Sequence, residues 1–153
     1  YMGKAAKQVV TYCIQNDIGT LIVGYNTTFQ RSSDLGRQMN QVFVGIPFGI
    51  LRRKLKYLCE MNGIRYVEQE ESYTSMASFW DLDEMPVYGE AGLVPPVFSG
   101  RRICRGLYQD RSGRRINADV NGALNIMRKC NIVSLRALYD RGDVDTPVRI
   151  RIA

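Results

Sequence analysis

Carboxylates at two places in this chain have residue types and positions suited to metal binding. Glu68, Glu70 and Glu71 crowd the end of a predicted strand, and Asp119 lies at the start of a predicted helix in the run NADVNGALNI. Like charges this close repel unless a cation or proton relieves them, and ligand crevices form at strand ends in open α/β sheets. If Asp119 and a glutamate converge, they supply hard oxygen ligands for Mg²⁺, which in pairs promotes phosphodiester cleavage.

Each group also has an interpretation that involves no function. Glutamates at a strand end are commonly solvated, and an Asp in the first turn of a helix can cap free amides and interact with the helix dipole. Capping leaves Gly122 unexplained, because glycine costs a helix interior about 1 kcal/mol relative to alanine. We therefore expect the first turn of this helix to pack closely against a sheet.

A dense basic segment directly precedes Asp119. Its arginines are accompanied by one acid, Asp110, and this excess is more than solubility requires, although a charge run is often only a solvated face. Tyr108, inside the segment, could stack on a base or brace the fold. The segment predicts nucleic-acid contacts by six arginines: Arg101, Arg102, Arg105, Arg111, Arg114 and Arg115.

The composition fits one globular domain with anionic partners. The 153 residues are 45% hydrophobic and 24% charged, with a formal net charge of +6 and a pI near 9.3. Clustered Lys and Arg gain affinity by releasing counterions from a phosphate backbone.

No apolar run approaches the roughly 20 residues of a membrane span, and no secretory signal opens the chain, so we expect a soluble, intracellular protein. Because the chain starts at Tyr1 without a strand before its first helix, we expect it to be part of something longer.

The cysteines do not form a zinc motif. Cys13, Cys59, Cys104 and Cys130 are widely separated, lack any CxxC pair, and are accompanied by no His. A structural zinc site needs convergent ligands, usually in close pairs. We expect reduced thiols and no zinc.

Apolar periodicity predicts the order of elements. A helix around residues 5–13 precedes a buried strand, Thr20 to Tyr25, and a polar loop covers residues 26–36. A second helix runs from Pro47 to Gly63, and the strand IRYVEQ follows it. This order predicts an α/β sheet with parallel neighbours joined by a right-handed crossover.

The second half of the chain is predicted to be less regular. Residues 72–98 form an irregular insertion, and residues 99–116 form a β-hairpin that turns at DRSG. In the helix that follows, an apolar stripe of Val120, Ala123, Leu124 and Met127 leaves Asn121, Asn125 and Arg128 on the other side. Residues 131–153 form a tail with a short helical piece around Leu135 to Leu138.

A series of blocks resembles the C-terminal half of OrfB/TnpB-type proteins of bacterial insertion sequences, over about residues 5–130. The blocks are GTLIVGYN, GRQMNQVFVGIPFGILRRKLKYLCEMNGI, EESYTSMASFWDLDEMPVY, FSGRRICRGLY and INADVNGALNIMRK. The resemblance implies an RNase H-like, RuvC-type nuclease domain over residues 1–130, without its first strands. It also implies an RNA-guided DNA endonuclease of a bacterial or archaeal cell, with Mg²⁺ or Mn²⁺ as cofactor and a guide RNA and a DNA target as partners.

The active site of this family uses three acids. Asp119 matches the last, whereas the first belongs to a strand ahead of Tyr1, so the chain alone is expected to be inactive. Gly24 stands where many members carry the Glu of VxEDL. Some branches supply this acid from an ExxTS setting, which Glu71 fits, with Glu70 as the reserve candidate.

A second departure from the family is the zinc ribbon that many relatives insert before the last Asp. The cysteine pairs of that ribbon are missing here, and the segment SMASFWDLDEM stands where its first cysteine pair would be. Residues 72–98 are therefore expected to form a zinc-free loop. Two alternatives to a nuclease stay open: a noncatalytic nucleic-acid-binding remnant, and a small basic protein that binds RNA by charge alone.

Overall fold

The computed structural model describes residues 1–26, 47–87, 89, 92, 94–144 and 146–150. The chain separates into two compact units, the first comprising Tyr1–Glu68 with Ile150 and the second Gln69–Arg149. Residues 131–149, predicted as a C-terminal tail, fall within the second unit. Apart from Asn26, the predicted loop at residues 26–36 lies outside the described residues.

The first unit alternates helices and strands in the predicted order. Helix α1 spans Met2–Gln15, strand β1 Thr20–Tyr25 and helix α2 Phe48–Met61. Strand β2 spans Arg65–Glu70, and its last two residues belong to the second unit. Strands β1 and β2 pair with one another, and the Arg65 amide donates to the Gly19 carbonyl at 2.9 Å. Because this bond joins the starts of both strands, the pair is parallel, as predicted.

The core of the first unit forms where α1 packs on α2. Both helices contribute small or branched side chains at helical spacing, and two buried cysteines are part of this core. Burial raises the pKa of both thiols, Cys13 and Cys59, so they stay protonated at neutral pH. The buried residues are Ala6, Val10, Cys13, Leu55, Cys59 and Ile64.

The second unit is built on a three-stranded antiparallel sheet. Strand β3 spans Arg101–Cys104, β4 Leu107–Gln109 and β5 Arg115–Asn117, in the order β3-β4-β5. The prediction of one hairpin was incomplete, because the chain also turns at residues 105–106, where Gly106 has a φ of +80°. DRSG makes the second turn, where the Asp110 amide donates to the Arg114 carbonyl at 3.0 Å.

Two helices complete the second unit. Helix α3 spans Ala118–Cys130, and helix α4 spans Arg136–Arg141. The Asn117 side chain caps α3 by accepting from the amides of Asp119 and Val120, which satisfies two donors of the first turn. The buried core under these helices comprises Phe79, Tyr108, Ile116, Ala118 and Leu124.

Between β2 and β3, the described residues form turns and bends, without a helix or strand. Tyr73 and Leu82 adopt positive φ angles of 62° and 57° in this stretch. The two sheets, one parallel and one antiparallel, make a mixed α/β architecture that is compatible with the predicted fold class. In the described part of the chain, every helix is too short or too polar to cross a membrane.

Candidate nucleic-acid interface and acidic residues

Two asparagines of helix α3, Asn121 and Asn125, form hydrogen bonds to the loop between β2 and β3. Both side chains have 0% exposure, so the prediction that they lie away from the packed side of the helix was wrong. Asn121 accepts from the Phe79 amide at 3.1 Å and donates to the Ala77 carbonyl at 2.8 Å. Asn125 donates to the carbonyls of Thr74 and Ala77. These bonds satisfy backbone groups that an irregular loop would otherwise leave unpaired.

The expected packing of the first turn against the sheet is confirmed, since Ala118 is buried in one core with Tyr108 and Ile116, but Gly122 is not its cause. A Cβ added to Gly122 would meet no described atom within 4 Å, so close packing does not require a glycine there. Ala123, predicted to lie on the apolar stripe, is exposed. The buried side of α3 is therefore rotated toward its asparagines, which form hydrogen bonds to the loop.

Asp119 occupies the first turn of α3 and is exposed. Its amide donates to Asn117 Oδ1 at 2.9 Å, so Asn117 is the capping residue. The Asp119 carboxylate forms no hydrogen bond or ion pair with any residue that the structure describes. An exposed carboxylate without a protein cation beside it can coordinate a hard metal ion.

Glu68 and Glu70 each have a cationic partner within their own unit. In the first unit, Arg52 donates to Glu68 at 3.2 Å. In the second, Lys129 Nζ lies 2.6 Å from Glu70 Oε2, and Ser72 donates to the other carboxylate oxygen through both its amide and its hydroxyl. Burial raises the pKa of Glu70, but the hydrogen bonds from Lys129 and Ser72 outweigh burial and lower it overall. Protein cations thus relieve the charge of these two acids.

Glu71 begins the turn after β2. Its carbonyl accepts from the amide and hydroxyl of Thr74 at 3.2 and 2.9 Å, and its side chain is half-buried. Glu71 and Asp119 both provide the oxygen donors that Mg²⁺ prefers. Within the described ranges, however, no three His, Cys, Asp or Glu residues form a group able to hold a metal. The donor types fit a metal site, but these residues do not assemble a complete one.

The sheet of the second unit has one face that carries arginine. Tyr108 opposes Ile116 across β4 and β5, and both side chains are buried, so this pair marks the inner face. Gln109 opposes Arg101 on one side and Arg115 on the other, and both arginines are exposed. Because side chains alternate along a strand, these three share the outer face. We call the outer face with Arg101, Gln109 and Arg115 the arginine face.

The six predicted arginines have different surroundings. Arg101, Arg102, Arg105 and Arg115 are exposed and form no ion pair with a described residue. Arg114 instead stacks over the Trp80 ring, with its Cζ 4.6 Å from the ring centroid, and donates to the Gly142 carbonyl at 3.2 Å. Arg111 donates to Asp81 through its amide and to Ser99 through its guanidinium. All six arginines are exposed, and five of them, all but Arg114, have no ion-pair partner among the described residues.

Tyr108 braces the fold. Its ring is 1% exposed, and its hydroxyl donates to the Met76 carbonyl at 2.7 Å. Burial raises its pKa to about 12. A ring this buried cannot stack on a base, which decides between the two roles predicted for it. Gly100 permits this packing, since a Cβ there would lie 2.5 Å from the Gln109 carbonyl and 2.6 Å from the Tyr108 ring.

Asp83 connects the loop before β3 to the start of the sheet. Its carboxylate accepts from the amides of Ser78 and Ser99 at 2.8 and 2.9 Å, and from the Ser99 hydroxyl at 2.5 Å. Arg128 Nη2 donates to the Asp83 carbonyl at 2.5 Å. A carboxylate that accepts several N–H and O–H bonds can hold a loop without a metal. This role of Asp83 could not be predicted from the sequence, because Asp83 and Ser99 are separated by residues without a periodic pattern.

A family model described as Cas12f1-like, TNB domain matches residues 48–126, just over half of the 153 residues. The matched range contains Glu70, Glu71, the arginine face and Asp119, and it leaves out Lys129 in the last turn of α3. A search of curated proteins finds no match to the chain.

Proposed function

Because the chain belongs to the Cas12f1-like, TNB domain family, we propose that it is the nuclease-domain portion of a transposon-encoded, RNA-guided DNA endonuclease. The match supports the relation to TnpB-type proteins that the sequence blocks predicted, adds a relation to Cas12-type proteins, and supports interaction with nucleic acid. The proposal also includes the RNase H-like fold, the guide RNA and the DNA target.

The arginine face is the observation that carries the proposal. Arg101 and Arg115 flank Gln109 on an exposed surface, and β5 leads from Arg115 directly into α3, where Asp119 is exposed four residues later. Two cations on one surface attract a phosphate backbone, and contacts of this kind position nucleic acid without reading its sequence. A strand held on the arginine face would pass close to the Asp119 carboxylate.

In the catalytic part of the proposal, Asp119 and Glu71 bind Mg²⁺ or Mn²⁺, with Glu70 in reserve. When bound, such ions activate water and stabilise the leaving oxygen in phosphodiester cleavage. The role of this chain is to supply carboxylate oxygens and to hold the nucleic acid beside them. Glu71 is the first candidate because it fits the ExxTS setting of the resemblance, and Glu70, which pairs with Lys129, is the reserve.

The test is metal-dependent cleavage by the parent protein, reconstituted with the RNA of its own element. We expect Asp119→Ala and Glu71→Ala each to abolish cleavage with Mg²⁺ or Mn²⁺, whereas Arg136→Ala, an exposed arginine on α4, leaves it unchanged. Since Asp119 has no described side-chain partner, its loss should not affect folding. Retained cleavage in a carboxylate variant rules out that residue as a metal ligand.

A second candidate is a noncatalytic nucleic-acid-binding protein of the same family. Gly24 in place of a family acid, and the neutralisation of Glu70 by Lys129, both favour it. This candidate predicts binding of DNA or RNA by the wild type without cleavage in any metal. Charge-driven binding in either case should weaken with salt, and Arg101→Ala with Arg115→Ala should reduce the slope of log K against log salt by about 1.4–1.8.

A further inference from the structure

An open cavity of about 400 Å³ lies in the second unit, beside the arginine face. Trp80 forms one wall, strands β4 and β5 another, and the chain after α4 a third. Leu107, Ile116 and Val144 give it apolar surface, and Arg114, Arg115 and Asn117 give it polar groups. Small-molecule sites in proteins have about 300–1,000 Å³ and this same mixture of apolar walls with few polar groups.

Trp80, the only tryptophan of the chain, is held in place as an aromatic wall. Phe79 and Tyr139 contact its ring at centroid distances of 5.2 and 5.9 Å, with interplanar angles of 69° and 83°. The Arg114 guanidinium covers the ring at 4.6 Å and is itself fixed by the Gly142 carbonyl. Aromatic rings and guanidinium planes are the groups on which proteins stack unpaired bases.

The polar lining can recognise the edge of a base and the phosphate attached to it. Asn117 uses its Oδ1 to cap α3, whereas its Nδ2 donates to no described residue. Arg115 is exposed at the rim and available to a phosphate. Asp143, which also lines the cavity, is paired with Arg141 at 2.8 Å, so its charge is partly neutralised. The lining thus offers a hydrogen-bond donor, a cation and a stacking surface together.

We propose that this cavity receives one unpaired base of a single-stranded nucleic acid whose backbone runs along the arginine face. The cavity lies next to Asp119, because Asn117 lines it and stands two residues before Asp119. The seated base would therefore fix the position of a strand relative to that carboxylate. This inference rests on the proposed binding of nucleic acid by the second unit, and it adds a subsite that charge alone does not require.

The test compares two oligonucleotides of equal length and charge, an oligothymidine and the same strand with abasic positions in its middle. The wild-type chain is titrated with each, and anisotropy of an end label reports total binding. Emission from Trp80 reports the cavity separately, because no other tryptophan contributes. We expect the oligothymidine to quench Trp80, the abasic strand to leave its emission unchanged, and the abasic strand to bind at least fivefold more weakly.

A variant that fills the cavity provides a second test. Thr146 is exposed and lines the cavity, so Thr146→Phe should fill it and remove the affinity difference between the two strands, without weakening the abasic strand. Val148→Phe, at an exposed position outside the cavity, is the matched control and should behave as the wild type.

The outcomes separate this inference from the proposed function. Equal affinity for both strands, or equal quenching by both, overturns the base subsite but leaves binding on the arginine face intact. If neither strand binds at low salt, both the subsite and the arginine-face proposal are wrong. If Thr146→Phe retains the full difference between strands, the base is recognised elsewhere and the subsite is overturned.

Discussion

Lys129 Nζ lies 2.6 Å from Glu70 Oε2 in the last turn of α3, at the opposite end of that helix from Asp119. The ten residue steps from Asp119 to Lys129 correspond to about 15 Å along the helix axis. One acid therefore stabilises the second unit through a cation, and the other is exposed without a described partner. The two carboxylates should respond differently to mutation, the first through stability and the second through activity.

Glu70→Gln should lower stability at neutral pH and should change its pH dependence. The folded-state pKa of Glu70 lies below the unfolded value of about 4.3, so its stabilising contribution is fully present above that value and is lost as pH falls through the folded pKa. We expect a loss of about 1–3 kcal/mol at pH 7 that shrinks below about pH 4. Urea unfolding of wild type and variant across this range measures it.

Glu60→Gln is the matched control for Glu70, because Glu60 is exposed and forms no ion pair with a described residue. Its unfolding free energy should stay within about 0.5 kcal/mol of wild type at every pH. A Glu70 variant that loses the same stability at low pH as at pH 7 would contradict the charge-based account.

Asn121→Ala should destabilise the second unit more than an ordinary surface change. The substitution leaves the buried Phe79 amide without its acceptor, and an unpaired buried amide costs about 1–3 kcal/mol. Asn16→Ala, at an exposed asparagine that donates to the Tyr12 carbonyl, should cost less than about 0.5 kcal/mol. Chemical denaturation of both variants checks this, and equal effects would show that burial of the asparagine is unimportant.

Two glycine substitutions should have opposite effects. Gly122→Ala should raise the unfolding free energy by about 0.5–1 kcal/mol, because alanine favours the helix and no described atom obstructs its Cβ. Gly100→Ala should lower it by about 1–3 kcal/mol, because the new Cβ would displace the Tyr108 ring or the Gln109 carbonyl. Thermal unfolding of the pair measures both. A destabilising Gly122→Ala would instead indicate a contact on that side of α3.

Asp83→Ala should loosen the loop before β3, since the amides of Ser78 and Ser99 lose their shared acceptor. We expect a loss of about 1.5–3 kcal/mol, the range for hydrogen bonds to a charged group. Asp140→Ala, which removes only an exposed pair with Arg136, should cost about 0–1 kcal/mol.

A zinc chelator should leave the Tm of the wild type unchanged, and a fall in Tm would reveal a metal in this loop.

The regular elements could be predicted because their causes are local. Apolar spacing around Val10 and Leu55 defines the helices of the first unit, and the run Thr20 to Tyr25 defines β1. The turn at Arg105 and Gly106 was missed because Arg-Gly is a weaker hairpin signal than Asn-Gly or Asp-Gly. Local sequence therefore predicts where elements begin more reliably than how many turns connect them.

The contacts that hold the candidate site together could not be predicted, because they join distant residues of ordinary type. Lys129 and Glu70 are 59 residues apart, and Asn121 bonds to a loop more than 40 residues before it. A polar residue on a helix is usually solvated, so only the tertiary structure reveals that Asn121 and Asn125 are buried. The motif predicts Asp119 as a metal ligand, and both this role and the convergence of a glutamate with it stay predictions.

Both outer strands of the three-stranded sheet begin with arginine, β3 with Arg101 and Arg102 and β5 with Arg115. A strand at the edge of a sheet leaves unpaired backbone groups that can capture a strand from another molecule, and charge on such strands opposes this association. The side chains proposed to attract a phosphate backbone would also keep copies of the chain from joining edge to edge. Replacing them with neutral residues would therefore put solubility at risk as well as affinity.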